Sequence, residues 1–208
     1  MSELVLYTNP MSRGRIARWM LEEVAEPYRV ELLDYGPSGM KSAEYRAVNP
    51  MGKVPAIRHD GVVVTEAAAI CAYLADAFPQ AGLAPASGSP ERAPYYRWLF
   101  FASGPLEQAV VNKACGFEPS AEQGRMVGYG SYTAALDALE AAVSASDYLA
   151  GGRFTAADLY VGAQLGWGLA FGTIEKRPAF AAYARRMSDR PAYQRAAAMD
   201  DALMPKKE

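Results

Sequence analysis

Cysteine and histidine are nearly missing from this chain of 208 residues: there are two cysteines, Cys71 and Cys115, and one histidine, His59. No Cys-x-x-Cys pair exists, so a disulfide scaffold and a cysteine-rich zinc site are both excluded. Chemistry that needs two histidines cannot come from one chain, and no metal is expected. Free thiols suit the reducing cytoplasm, where the protein is expected to reside. No apolar run approaches the roughly 18–20 residues of a membrane span. Met1 to Tyr7 carry no basic stretch followed by a long apolar one, so no secretory leader is expected. Excess charge is lacking too. Twenty-one Lys and Arg against 23 Asp and Glu leave a net charge of −2, which gives bulk electrostatics no hold on nucleic acid or an anionic membrane. What is there is ordinary globular material, 51% hydrophobic and 21% charged. That builds a core and suits a small-molecule partner.

The hydrophobic pattern changes character along the chain. Leu4 to Tyr7 is a short apolar run, read as a buried strand, and Thr8-Asn9-Pro10 turns it. Ile16, Met20 and Val24 repeat at helical spacing after Ser12, and Pro27 stops that helix. Tyr28 to Leu33 alternates as a second strand, giving a parallel βαβ unit. A short helix is expected over Ser42 to Ala47. Val54 to His59 and Val62 to Val64 form two strands joined at Asp60-Gly61, a hairpin signal. Glu66 to Phe78 is an Ala-rich helix ending at Pro79. The order βαβαββα fills residues 1–79. Residues 80–90, rich in Gly, Pro and Ser, read as a linker. Residues 91–208 show only helical patterns, over Glu91–Glu107, Ala121–Ala145, Thr155–Leu169 and Pro178–Met187, with a short one from Ala192. The tail, Pro205-Lys206-Lys207-Glu208, is expected to be mobile.

Four segments then fall into register with one family. Tyr7-Thr8-Asn9-Pro10-Met11-Ser12-Arg13-Gly14-Arg15 resembles the strand–loop–helix of the thioredoxin superfamily. Asn49-Pro50-Met51-Gly52-Lys53-Val54-Pro55-Ala56-Ile57 resembles the Asn-Pro…Val-Pro segment of cytosolic glutathione transferases. Thr65-Glu66-Ala67 stands where that family usually has Glu-Ser, and Phe154-Thr155-Ala156-Ala157-Asp158 resembles its C-terminal helix cap. The match spans both domains and is closest to bacterial, serine-type members of theta-, beta- and phi-like kind. It implies a thioredoxin-like α/β domain followed by an all-α domain, with glutathione as co-substrate. A small hydrophobic electrophile would be the second substrate, in a homodimer serving detoxification. Alternatives within the resemblance are a binding or interaction protein with little catalysis, or a glutathione-dependent isomerase, dehalogenase or peroxidase.

The family's reaction attacks an electrophile with the glutathione thiol, of which only about 3% is thiolate at pH 7. Lowering that pKa by about two units needs about 2.7 kcal/mol of preference for the anion. A hydroxyl donor to an anion supplies about 1.5–3 kcal/mol, and a helix N-terminus about 0.3–1. Ser12, at the exit of the first strand and the start of the first helix, is expected to give both. It also falls, with Arg15, where glutaredoxin-like relatives carry Cys-x-x-Cys, so thiol–disulfide exchange is lost. Tyr7 is the alternative hydroxyl, and a plain helix cap is the bland reading of Ser12.

The resemblance implies a cis Val54–Pro55 bond, with the Val54 backbone pairing the cysteinyl part of glutathione. It assigns Glu66 and the Ala67 N–H to the γ-glutamyl end, and Lys53 or Lys41 to the glycine carboxylate. Ala67 in place of serine removes one hydroxyl from that set. Met11, Tyr96 and Phe117 are the candidates for the electrophile pocket, with Tyr95, Phe101 and Trp167 behind them. Thr155 and Asp158 are assigned to a structural capping box. His59 is expected at the surface, and Cys71 buried.

Overall fold

In the computed structural model, residues 3–204 are described. The tail from Pro205 lies outside them. The first strand, β1 (Leu4–Thr8), is buried along its whole length. It therefore sits centrally, in the sheet order β2-β1-β3-β4, with β2 at Arg29–Leu32, β3 at Ala56–His59 and β4 at Val62–Thr65. β2 runs parallel to β1, and β3 and β4 form the antiparallel hairpin. Leu6 lies opposite Val30 and Ile57, while Tyr7 lies opposite Glu31 and Ala56. The period of two gives the strand two faces. Val5, Tyr7 and Ala56 pack with Met40 and Tyr45, and Tyr45 comes from α2 (Ala43–Val48). Leu4, Leu6 and Ile57 are buried on the other face, on the side of α1 (Gly14–Val24) and α3 (Ala67–Ala77). Each such side chain contributes about 1.5–3 kcal/mol by leaving water.

The βαβαββα order is observed. The expected strand from Val54 begins only at Ala56. His59 is a correction: its side chain is 14% exposed, because Nδ1 lies 2.9 Å from the Tyr73 hydroxyl on α3 and the Phe78 ring packs at 5.2 Å. Cys71 is buried, which pushes its thiol pKa up.

By packing, the residues up to Leu83 and those from Arg190 on form one compact unit, and Ala84–Asp189 a second. The sequence reading put the last helix, α9 (Pro191–Asp201), in the second domain; its partners here are on α1. Four ion pairs join the two helices in antiparallel order: Arg15–Asp201, Arg18–Asp200 at 2.9 Å, Glu22–Arg195 at 3.1 Å and Glu23–Arg190 at 2.6 Å. Trp19 meets Tyr193 edge to face at 4.9 Å. Each helix carries cations toward its own N-terminus and anions toward its C-terminus, the reverse of what its dipole favours. Docking supplies the counter-charges.

The second unit is helical. α4 (Arg92–Phe101) passes through a π-helical turn at Ala102–Leu106 into α5 (Glu107–Ala114). Pro105 lacks the N–H that a regular turn uses, so the rod bulges and continues past the expected end at Glu107. The expected helix over 121–145 starts only at Tyr132, as α6 (Tyr132–Ala145), where Ser131 accepts the Ala134 N–H. Gly124, Gly128 and Gly130 hold the preceding stretch to turns and one short 3-10 helix, Gln123–Arg125. α7 (Ala156–Phe171) is mostly buried, and α8 is Pro178–Ser188. Thr155 and Asp158 form the capping box of α7. Asp158 Oδ1 also accepts the Leu149 N–H and the Tyr183 hydroxyl, both at 2.7 Å, so one buried carboxylate ties three segments. Burial pushes its pKa up against those donors.

Candidate functional site

Two loops leave the C-terminal end of β1 and the N-terminal end of β3, and they carry most of the residues singled out from sequence. The first begins at Asn9, which is buried. Its Oδ1 accepts the Met11 N–H at 2.9 Å, its carbonyl accepts the Ser12 N–H at 3.1 Å, and its Nδ2 donates to the Leu33 carbonyl at 2.9 Å. Ser12 follows at the entry of α1. Its Oγ donates to the Asn9 carbonyl at 2.7 Å and accepts the Gly14 N–H at 3.0 Å. The hydroxyl is thus a helix-entry cap in this structure. Arg15 donates to the Pro10 carbonyl at 3.3 Å, and the Tyr35 hydroxyl to the Met11 carbonyl at 2.9 Å. Gly14 has to be glycine, since a Cβ there would lie 1.8 Å from Thr8 Oγ1.

Tyr7 is elsewhere in character. It is buried on the α2 face, its ring 5.7 Å from that of Tyr45 and 5.9 Å from the Arg58 guanidinium. Among the described residues its hydroxyl makes no hydrogen bond.

The second loop begins at Asn49, also buried, and repeats the first. Its Oδ1 accepts the Met51 N–H at 3.1 Å, its carbonyl accepts the Gly52 N–H at 2.8 Å, and its Nδ2 donates to the Lys53 carbonyl at 2.8 Å. The Tyr45 hydroxyl donates to that same carbonyl at 2.7 Å. Burial pushes the Tyr45 pKa up to about 12, so the phenol is a protonated donor at neutral pH. Lys41 is exposed, and its Nζ turns onto the loop, donating to the Gly52 carbonyl at 2.9 Å and to the Met51 carbonyl at 3.3 Å. Val54–Pro55 is cis. Among the described residues neither the N–H nor the C=O of Val54 has a hydrogen-bond partner, and the Lys53 side chain is exposed and unpaired.

Glu66 heads α3 at φ 68° and ψ 119°. Left-handed backbone in a residue with a Cβ costs about 1–3 kcal/mol and collects at functional sites. Its carboxylate is exposed and unpaired among the described residues, and α3 has no side-chain cap. The first N–H groups of α3, from Ala67, therefore remain open to an anion. Glu66 offers an acidic acceptor, Lys53 an ammonium donor, and Val54 and the start of α3 open backbone groups, which are the kinds of group a zwitterionic peptide pairs with. Of the electrophile candidates, Met11 is 53% exposed in the first unit, while Tyr96 on α4 and Phe117 are 41% and 42% exposed in the second. Tyr95 is fully buried and belongs to the core.

Asn9, Tyr45 and Asn49 were not singled out from sequence as site builders. The signal was present in Asn-Pro, a turn pair whose amide mimics a backbone group.

A family profile described as the glutathione S-transferase N-terminal domain matches residues 11–77, and one for the glutathione S-transferase C-terminal domain matches residues 129–191. Glutathione S-transferase GstA of Escherichia coli O157:H7 is 31% identical over 193 residues, covering 91% of this chain and 94% of that protein. A crystal structure of a glutathione transferase from Methylococcus capsulatus superposes with a TM-score of 0.79 at 32% identity, covering 96% of this chain and 99% of that one. A sphingomonad glutathione S-transferase solved in complex with glutathione superposes at 0.77 and 31% identity, covering 95% and 98%. With both family domains in order and likeness along nearly the whole chain, this protein belongs to the glutathione transferase family.

Proposed function

We propose that the protein conjugates the thiolate of glutathione to a small hydrophobic electrophile, with Ser12 as the hydroxyl that stabilises the sulfur anion. The observation that carries this reading is the bonding of Ser12 Oγ. The Asn9 carbonyl that accepts the hydroxyl's hydrogen bond also accepts the Ser12 N–H, so turning the hydroxyl toward a thiolate leaves no orphaned carbonyl behind. The Gly14 N–H that donates into Oγ polarises the O–H and strengthens it as a donor. With the α1 dipole, about 2–4 kcal/mol is within reach, against the roughly 2.7 required for a shift of two units. Thiolate nucleophilicity falls with its pKa, so the net gain from ionisation is only a few-fold. Holding both reactants together supplies the rest.

In this reading the open Val54 backbone pairs the cysteinyl residue as an added strand. Glu66 takes the γ-glutamyl ammonium, the Ala67 N–H its carboxylate, and Lys53 the glycine carboxylate. Met11, which adjoins Ser12, faces the electrophile. The protein works as a cytoplasmic homodimer in detoxification. A second reading, glutathione binding with little turnover, is favoured by Ala67, which lacks the hydroxyl usual there, and by the present engagement of Ser12 as a cap.

Retention on immobilised glutathione followed by conjugation to a chloronitroaromatic separates the two. Retention with turnover is expected; retention without it supports binding alone. Ultraviolet absorbance of the bound thiolate should titrate below the free thiol's pKa. An unshifted titration would remove Ser12 from the mechanism.

A further inference from the structure

The second loop is more tightly held than turn formation requires. The carbonyls of Asn49, Met51, Gly52 and Lys53 all have acceptor roles: Asn49 to the Gly52 N–H, Met51 and Gly52 to Lys41 Nζ, and Lys53 to both Tyr45 and Asn49. The next residue, Val54, has no hydrogen-bond partner on either backbone group among the described residues. Lys41 is close enough to the turn that a Cβ on Gly52 would lie 3.2 Å from its Nζ.

We propose that Lys41, Tyr45 and Asn49 form a carbonyl clamp that fixes where the Val54 backbone is presented, making them positioning residues for the peptide co-substrate. Lys41 then contributes to affinity through the loop and not as a direct partner of the glycine carboxylate. The physical basis is preorganisation: a loop held before binding does not lose its freedom on binding. Three donors on three carbonyls do this without occupying the groups that Val54 offers. Tyr45 lies on the face opposite α1, and among the described residues no hydrogen bond joins a member of the clamp to Ser12, so the clamp acts on affinity and leaves the thiol's activation alone.

The inference rests on the glutathione reading, and the test separates the two. Binding of glutathione and of γ-glutamylcysteine, which lacks the glycine carboxylate, is measured by calorimetry for the wild type, Lys41→Met, Lys41→Arg and Tyr45→Phe, with circular dichroism melts as the folding control. The wild type should bind both peptides. Lys41→Met should weaken both by the same factor, about five- to tenfold for two lost bonds. Lys41→Arg should restore most of that affinity. Tyr45→Phe, an uncharged change, should weaken both about threefold. In turnover, KM for glutathione should rise while kcat stays within about twofold, as for an interaction made equally in ground and transition states. A Lys41→Met penalty seen with glutathione and absent with γ-glutamylcysteine would make Lys41 a direct ligand and overturn the clamp, as would unchanged affinity in both Lys41→Met and Tyr45→Phe. A wild type that binds neither peptide would instead remove the functional reading on which the clamp depends.

Discussion

Asn9-Pro10-Met11-Ser12 and Asn49-Pro50-Met51-Gly52 are the same turn built twice. In each, the asparagine side chain accepts the N–H two residues on, its carbonyl accepts the N–H three residues on, and its amide donates to a carbonyl outside the turn. The fourth residue separates them. Ser12 has ordinary backbone angles and a hydroxyl that meets the Gly14 N–H, so the chain enters a helix. Gly52 sits at φ 57°, and the chain leaves extended toward β3. A shared local code thus delivers two different chemical surfaces: a capped helix end carrying a hydroxyl, and a strand entry carrying open backbone groups.

Gly52→Ala should break the comparison hardest. A Cβ there would lie 2.6 Å from the Met40 carbonyl, which is backbone and cannot swing away. Left-handed strain and the clash together should cost about 2–4 kcal/mol of stability. A denaturant midpoint unchanged from wild type would contradict this.

The two asparagines give an internal contrast. Asn9→Ala should cost about 2–3 kcal/mol, because it strips Met11 of its acceptor and leaves the Leu33 carbonyl without its side-chain donor. Asn49→Ala should cost about 1–2 kcal/mol, since Tyr45 still holds the Lys53 carbonyl. Equal losses in matched urea titrations would mean that the external bond of each turn carries no weight.

How much of this was legible beforehand follows from the range of the interactions. The strand alternation, the hairpin at Asp60-Gly61 and the cap at Thr155 and Asp158 are signals spanning a few residues, and all appear in the fold. The start of α6 was misjudged by some ten residues because an Ala- and Met-containing stretch looks helical until its glycines are counted. His59 was misjudged because its environment comes from Tyr73 and Phe78 on another element. Lys41 was readable as a cation near the site, but no spacing rule says that it turns back onto carbonyls ten residues later.

Ser12→Ala carries a smaller stability effect and a functional one. Loss of the bond to the Gly14 N–H should cost about 1 kcal/mol. If Ser12 stabilises the thiolate, turnover at saturating glutathione should drop at least about tenfold, equivalent to about 1.4 kcal/mol of barrier. A melting shift with turnover intact would leave Ser12 as a cap alone, and the two Asn-Pro-Met turns would then differ only in the structure they start.

The smallest expected effect belongs to Tyr7→Phe, and its smallness is informative. Tyr7 and Ser12 are the two candidate hydroxyls near the exit of β1, but their surroundings are opposite. The Tyr7 ring packs among Val5, Met40, Tyr45 and Ala56, and its hydroxyl makes no hydrogen bond among the described residues. Removing that oxygen takes away no bond and leaves the ring packing intact. Stability should therefore change by no more than about 0.5 kcal/mol, and turnover should stay within about twofold. A tenfold fall in kcat at unchanged melting temperature would transfer the thiolate to Tyr7. The α2 face of the sheet, not the helix entry at Ser12, would then be where the sulfur rests.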